Sequence, residues 1–216
     1  MKRFLNLLSV FVLLLGLSVV ANATIINYNF AVAGDGNSYT SPYSGVTVYT
    51  FDSSPSLQIL PGGNGAVVSG SASGLYAAPF GVSAPDATSY LTVPASGGTG
   101  SITAILPTAV NNYFGLWWGS VDSYNTITFY NGATEVASFT GLSITNPANG
   151  DQVAPSTNLY VNFLDLPNFN TFMITSTQYA FEVDNIAVGK VPEPATMLLF
   201  GLGLLGLAGL RRKFKK

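Results

Sequence analysis

Asn125-Thr126-Ile127-Thr128-Phe129-Tyr130-Asn131-Gly132-Ala133-Thr134-Glu135-Val136-Ala137-Ser138-Phe139-Thr140 is two alternating runs joined at Asn131-Gly132. Asn-Gly between such runs predicts a β-hairpin closed by a type I′ turn, because both positions tolerate positive φ. The same texture continues on both sides. Strands are expected at Val46–Phe51, Tyr90–Val93, Ser101–Leu106, Tyr113–Ser120, Asn125–Tyr130, Glu135–Thr140, Leu159–Leu164, Thr171–Ser176 and Ala180–Val188. Ile26, Tyr28, Phe30 and Val32 alternate with Asn27, Asn29 and Ala31, which predicts a half-buried first strand. Stretches 34–45, 61–74 and 141–158 read as loops rich in Gly, Ser, Asn and Pro. Helical periodicity is nearly absent between Thr24 and Gly189. Nine or ten strands in these 166 residues predict an all-β fold, a two-sheet jelly-roll-like sandwich.

The last strand has a phase error. Phe181 and Val183 share one parity, while Ile186 and Val188 occupy the other. A β-bulge near Asp184-Asn185 returns both pairs to the core; a strand buried on both faces is the alternative.

Charge bounds the function. All eight Lys and Arg lie at positions 2, 3, 190, 211, 212, 213, 215 and 216, so region 24–189 has nine carboxylates, no cation and a net charge of −9. Such a surface cannot neutralise phosphates, which excludes nucleic acid as a partner. Without cysteine the core must hold the domain without disulfides, and 166 residues are enough for that.

Missing residue types narrow the chemistry further. The chain has no His and no Cys, so neither a Ser-His-Asp triad, a Cys-His pair nor a His/Cys zinc site is available. Only a carboxylate pair remains, drawn from Asp122, Glu135, Asp165, Glu182 and Asp184. Carboxylates scattered over strands read more simply as surface, so no catalytic residue and no enzymatic activity are expected. A structural calcium ion suits an anionic domain without basic residues, and Asp184-Asn185 and Asp35-Gly36-Asn37 are the natural places for it. The competing reading of Asp35-Gly36-Asn37 is an ordinary turn. No other cofactor is expected.

In Tyr113-Phe114-Gly115-Leu116-Trp117-Trp118-Gly119-Ser120, strand alternation puts Phe114, Leu116 and Trp118 on the core face. Trp117 falls on the other face between two glycines. An uncovered indole there, with Tyr124, would offer a flat contact to a sugar ring; a covered Trp117 serves packing alone.

The two ends address the chain to a membrane. Lys2 and Arg3, the apolar run Leu5 to Val20 and the small-x-small Ala21-Asn22-Ala23 form a signal peptide over 1–23, cleaved by signal peptidase to leave Thr24 first. Val191-Pro192-Glu193-Pro194 leads into the apolar run Ala195–Leu210 and the basic end Arg211-Arg212-Lys213-Phe214-Lys215-Lys216. As a helix, the 16-residue run spans about 24 Å, and snorkelling cations make up the difference from a ~30 Å hydrocarbon core. The cations stay cytoplasmic, so the body lies outside.

Segment 190–216, through Pro192, Glu193, Pro194, the Leu/Gly-rich span, Arg211 and Arg212, resembles the PEP-CTERM sorting signal of Gram-negative bacteria. The resemblance implies that an exosortase reads and cuts the tail, so that an inner-membrane-anchored precursor becomes a cell-surface or extracellular-matrix protein, typically where exopolysaccharide is made. Residues 113–130 and 159–188 are similar to the bodies of such exosortase-dependent proteins, which implies a β-rich fold but no binding residue. The expected function is a non-enzymatic structural or adhesive role linked to exopolysaccharide. A saccharide-binding module is the first alternative and a carboxylate-based glycan hydrolase the second.

Overall fold

A computed structural model describes residues 24–107 and 111–191. The expected signal peptide with Ala21 and Ala23, the run 195–210, and Pro192, Glu193, Pro194, Arg211 and Arg212 lie outside the described residues. Among the described residues, 24–107 and 111–191, no helix is long and apolar enough to cross a membrane.

The strands are β1 (Ile25–Asn27), β2 (Ala31–Val32), β3 (Tyr39–Thr40), β4 (Thr47–Tyr49), β5 (Gln58–Ile59), β6 (Ala66–Ser69) and β7 (Ser89–Val93). They continue as β8 (Gly100–Ile105), β9 (Tyr113–Gly119), β10 (Asn125–Asn131) and β11 (Thr134–Thr140). A short helix, α1 (Gly141–Ile144), precedes β12 (Leu159–Leu164), β13 (Thr171–Ser176) and β14 (Phe181–Gly189). The large sheet runs β1-β12-β9-β14-β7-β6, and β4 takes the edge of β14 beyond β7. The second sheet runs β11-β10-β13-β8-β5, and β2-β3 form a separate ribbon. All recorded strand pairings between these elements are antiparallel.

One apolar core joins the two large sheets, which makes the domain an all-β sandwich. Phe114, Leu116 and Trp118 of β9, Val161 and Phe163 of β12, and Phe181 and Val183 of β14 meet Ile127 and Phe129 of β10 and Phe172 and Ile174 of β13. Phe114 packs edge-on to Phe129 and Phe172 at 5.0 and 4.8 Å, and Trp118 stacks on Phe181 at 4.2 Å. Each such side chain contributes about 1.5–3 kcal/mol by burial. Outward positions of β13 (Thr171, Met173, Thr175) are only half-buried, so the second sheet keeps one face toward water.

The central strands of the large sheet, β12, β9, β14 and β7, are buried on both faces. Their outer face carries Tyr90, Tyr113, Trp117, Tyr160, Asn162, Glu182 and Asp184, each no more than 2% exposed. The N-terminal segment and the 71–86 loop cover it. This explains why the expected continuous first strand is broken. After Asn27 the chain leaves the sheet: the Asn162 amide donates to the Asn29 carbonyl at 2.7 Å, and the Tyr28 hydroxyl donates to Ile144 O at 2.5 Å. Tyr28, Phe30 and Val32 consequently lie on the surface instead of alternating into the core.

The hairpin forms with a different turn from the expected type I′. Asn131 pairs with Thr134, leaving Gly132-Ala133 as the loop. Gly132 has φ of +60° and Ala133 is not among the positive-φ residues, which is the II′ pattern with glycine first. The expected loops 34–45, 61–74 and 141–158 contain β3, β6 and α1, elements too short for periodicity to mark.

The bulge in β14 is present. Asp184 pairs with Trp117 and Ala187 with Gly115, so two residues of β14 oppose one of β9. Asn185 takes φ of +49°. Phe181, Val183, Ile186 and Val188 all reach the core. The bulge also turns Asn185 toward the N-terminal cover, where its amide donates to Tyr39 O at 2.8 Å.

Candidate functional site

Trp117 is not a surface platform. Its side chain is fully buried, with the Tyr39 ring edge-on at 5.5 Å. The spaces left by the flanking glycines are filled. A Cβ on Gly115 would lie 2.3 Å from the Tyr113 hydroxyl and 2.8 Å from that of Tyr160, and one on Gly119 would meet Pro79 at 2.9 Å. The expected sugar contact at Trp117 is therefore replaced by packing.

Tyr124, the other expected contact, lines an open cleft of about 750 Å³. One wall is the 71–77 loop, with Ser71, Ser73 and Tyr76. Another is the 149–152 loop, with Asn149 and Gln152, and Tyr179, Asp122 and Glu182 complete it. The Tyr124 hydroxyl donates to Asp122 Oδ2 at 2.6 Å and also touches Tyr179 O. Burial raises the Asp122 carboxyl pKa, partly offset by that hydrogen bond. Gly150 closes over the same carboxylate with φ of +68°, and a Cβ there would lie 2.3 Å from Asp122 Oδ1.

Glu182 forms the floor. Its Oε1 accepts from Ala77 N and its Oε2 from the Ser120 hydroxyl, both at 2.9 Å. Burial outweighs these bonds and pushes its pKa up to about 7. Thus the cleft brings together Asp122 and Glu182 of the five weighed carboxylates. Glu135 is exposed on β11, and Asp165 follows β12 in the left-handed region with φ of +55°. Neither lines the cleft.

The expected calcium residues meet elsewhere. A pocket of about 230 Å³ beside the β14 bulge is lined by Asp35, Asp52, Asp184, Asn185, Thr50, Thr88, Ser38, Ser53 and Ala33. Asp86 lies against Asp184. Burial first, then the charges of Asp86 and Asp52, push the Asp184 carboxyl up to about 9. Asp184 Oδ1 and Asp86 Oδ2 are buried and accept no hydrogen bond. Asp86 Oδ1 accepts from Thr88 N and its hydroxyl, and Asp52 Oδ1 from Ser89 N.

Asn37 does not belong to this group. Its carbonyl oxygen accepts from Ser83 N and Ala84 N, and its amide donates to Ala84 O, which ties β3 to the 81–85 loop. Asp35-Gly36-Asn37 is indeed a turn, since Asp35 Oδ1 accepts from Asn37 N and Ser38 N, both at 3.0 Å. Among the described residues no three carboxylates form a ready-made metal cage. Asp52 and Asp86 were missed in the sequence because neither stands near Asp184 along the chain.

At the exit from the sandwich, Asn112 holds Val191 on both sides. Its Oδ1 accepts from Val191 N at 2.9 Å and its Nδ2 donates to Val191 O at 3.1 Å. The tail thus starts from a fixed point on the domain.

No curated protein matches the chain. A family model, the PEP-CTERM protein-sorting motif, matches residues 190–213 and so begins at that fixed point. The chain carries the PEP-CTERM sorting motif, which marks it as an exported protein with a membrane-anchored precursor that an exosortase processes.

Proposed function

We propose that the sandwich is a non-enzymatic structural or adhesive component of the cell surface or extracellular matrix of a Gram-negative bacterium, and that it engages exopolysaccharide through the Tyr124 cleft. Signal peptidase and exosortase are its processing partners. The observation carrying the reading is the cleft's lining. Hydroxyl, amide and phenol groups of Ser71, Ser73, Tyr76, Tyr124, Asn149 and Gln152 surround a roomy opening. Region 24–189 has no Lys or Arg, and Asp122 and Glu182 are carboxylates. That lining repels anions and suits a neutral polyhydroxyl chain, whose hydroxyls donate to acceptors and whose ring faces lie on tyrosines.

Binding of the full-length chain, in detergent, to neutral and anionic polysaccharides tests this by calorimetry. Saturable heat with a neutral glycan, weakened at least tenfold by Gln152→Ala with Tyr76→Ala, supports the reading. Equal binding by that double variant counts against it.

Glycan hydrolysis is favoured by one observation, the shared cleft of Asp122 and Glu182. Against it, both Glu182 oxygens are already engaged with Ala77 and Ser120, and the side chain is only 2% exposed. Glu182 holds the 71–77 loop to the sheet. Reducing-end release from a bound glycan by wild type, abolished in Glu182→Gln, would reinstate hydrolysis.

A further inference from the structure

We propose that the acidic pocket beside the β14 bulge binds one calcium-sized divalent cation, with buried Asp184, backed by Asp86, as the inner ligand and exposed Asp52 and Asp35 at the rim. The proposal does not depend on the Tyr124 cleft.

The geometry that carries it is a pair of buried oxygens with nothing to bond. Asp184 is 1% exposed and Asp86 is 3% exposed. Each keeps one carboxylate oxygen without a hydrogen-bond partner, although a buried carboxylate oxygen left unpaired is costly. Nearly every other buried carboxylate oxygen in the domain is engaged: Glu182 uses both of its oxygens, and Asp86 its second. Asp184 is one of the residues lining the pocket, and its unpartnered Oδ1 is shielded from solvent.

Charge points the same way. Three of the nine carboxylates of region 24–189 line this pocket and a fourth, Asp86, lies against Asp184, in a region without a single Lys or Arg. A proton shared by Asp86 and Asp184 would satisfy their two oxygens but leave the Asp52 and Asp35 charges uncompensated. A divalent ion offsets two of the four charges, where a shared proton offsets one. The available donors are carboxylates, hydroxyls and amide oxygens, with no nitrogen or sulfur ligand, which is the chemistry of a hard cation. Among the described residues no three carboxylates converge in advance, so the proposed site needs a rim carboxylate to move to the ion. Asp184 and Asp86 are fixed by burial, and exposed Asp52, whose Oδ1 accepts from Ser89 N, is the ligand that moves to the ion.

The bulge explains why the pocket exists. Its extra residue opens the β14-β9 ladder beside Asp184, which pairs with Trp117. The Trp117 indole is therefore a neighbour of the ion and an internal reporter.

The test uses full-length chain in detergent, stripped with EDTA and titrated with calcium chloride. At a hundredfold excess over Kd, Tm rises by about 5–10 °C. Terbium in place of calcium emits on tryptophan excitation, and calcium displaces that emission. Asp184→Asn abolishes both responses. Asp52→Asn, at an exposed position, weakens both at least tenfold in calcium concentration and carries the test if Asp184→Asn fails to fold. An unchanged Tm with no displaceable terbium emission overturns the proposal. So does a calcium response retained in both variants, which would put the ion elsewhere.

Discussion

Glu182 shows how much one buried carboxylate can weigh. Two hydrogen bonds favour its charged form, yet burial wins and its pKa stands near 7 against 4.5 for a solvated glutamate. The folded state therefore holds this proton more tightly than the unfolded chain. Its contribution is fully present below about 4.5 and is lost as pH rises through about 7. The loss is on the order of 3 kcal/mol. Urea melts should show wild type losing that much more stability than Glu182→Gln between these limits, with Asp184 affecting both proteins alike. Parallel pH profiles would mean that Glu182 carries its charge without penalty. Trp117 teaches a different lesson about what can be read from sequence. Alternation correctly puts it opposite Phe114, Leu116 and Trp118, but its cover comes from Tyr39 and Pro79, which lie about 80 and 40 positions away. Nothing local in the run carries that information.

The strand β14 was legible down to its irregularity. The parity switch between Val183 and Ile186 demanded an inserted residue, and the structure supplies it with Asn185 in the left-handed region. Asparagine accepts that conformation more readily than a β-branched residue, for which it costs about 1–2 kcal/mol. Asn185→Val should accordingly be less stable than Asn185→Gly by about that amount in denaturant melts. Both variants lose the bond to Tyr39, so their difference isolates the backbone; equal stabilities would deny the bulge its strained geometry. Central strands β8 to β14 were likewise readable because each packs one or two long apolar faces. The segment from Tyr28 to Gly45, between β1 and β4, was not. Its Asn29 and Tyr28 are fixed by a few side-chain hydrogen bonds with Asn162 and Ile144, and such isolated contacts leave no period in the sequence. The cleft and acidic pocket were half-legible for the same reason: Asp122, Tyr124, Asp184 and Asp35 stood out, whereas the 71–77 wall, Asp52 and Asp86 did not.

For the molecule as a whole, charge and address belong together. Nine carboxylates and no cations between 24 and 189 repel one another, with Lys190 the only basic side chain among the described residues. Sodium chloride, added with EDTA present, should therefore raise Tm by a few degrees as it screens this repulsion. A fall in Tm would indicate stabilising attractions that the sequence does not contain. The anionic body is followed by a tail clamped at Val191 by Asn112, and the PEP-CTERM motif begins at Lys190. The domain thus holds the first two residues of that motif, Lys190 and Val191, directly after its last strand. Export with exosortase processing is the claim on which the surface role, the glycan cleft and access to extracellular calcium all depend. Intact mass spectrometry of the protein recovered from outside the cells measures it directly. The account predicts a chain starting at Thr24 and ending within residues 190–213, in exosortase-containing cells. An extracellular chain with residues 190–216 intact, or a product found only in the cytoplasm, would contradict it.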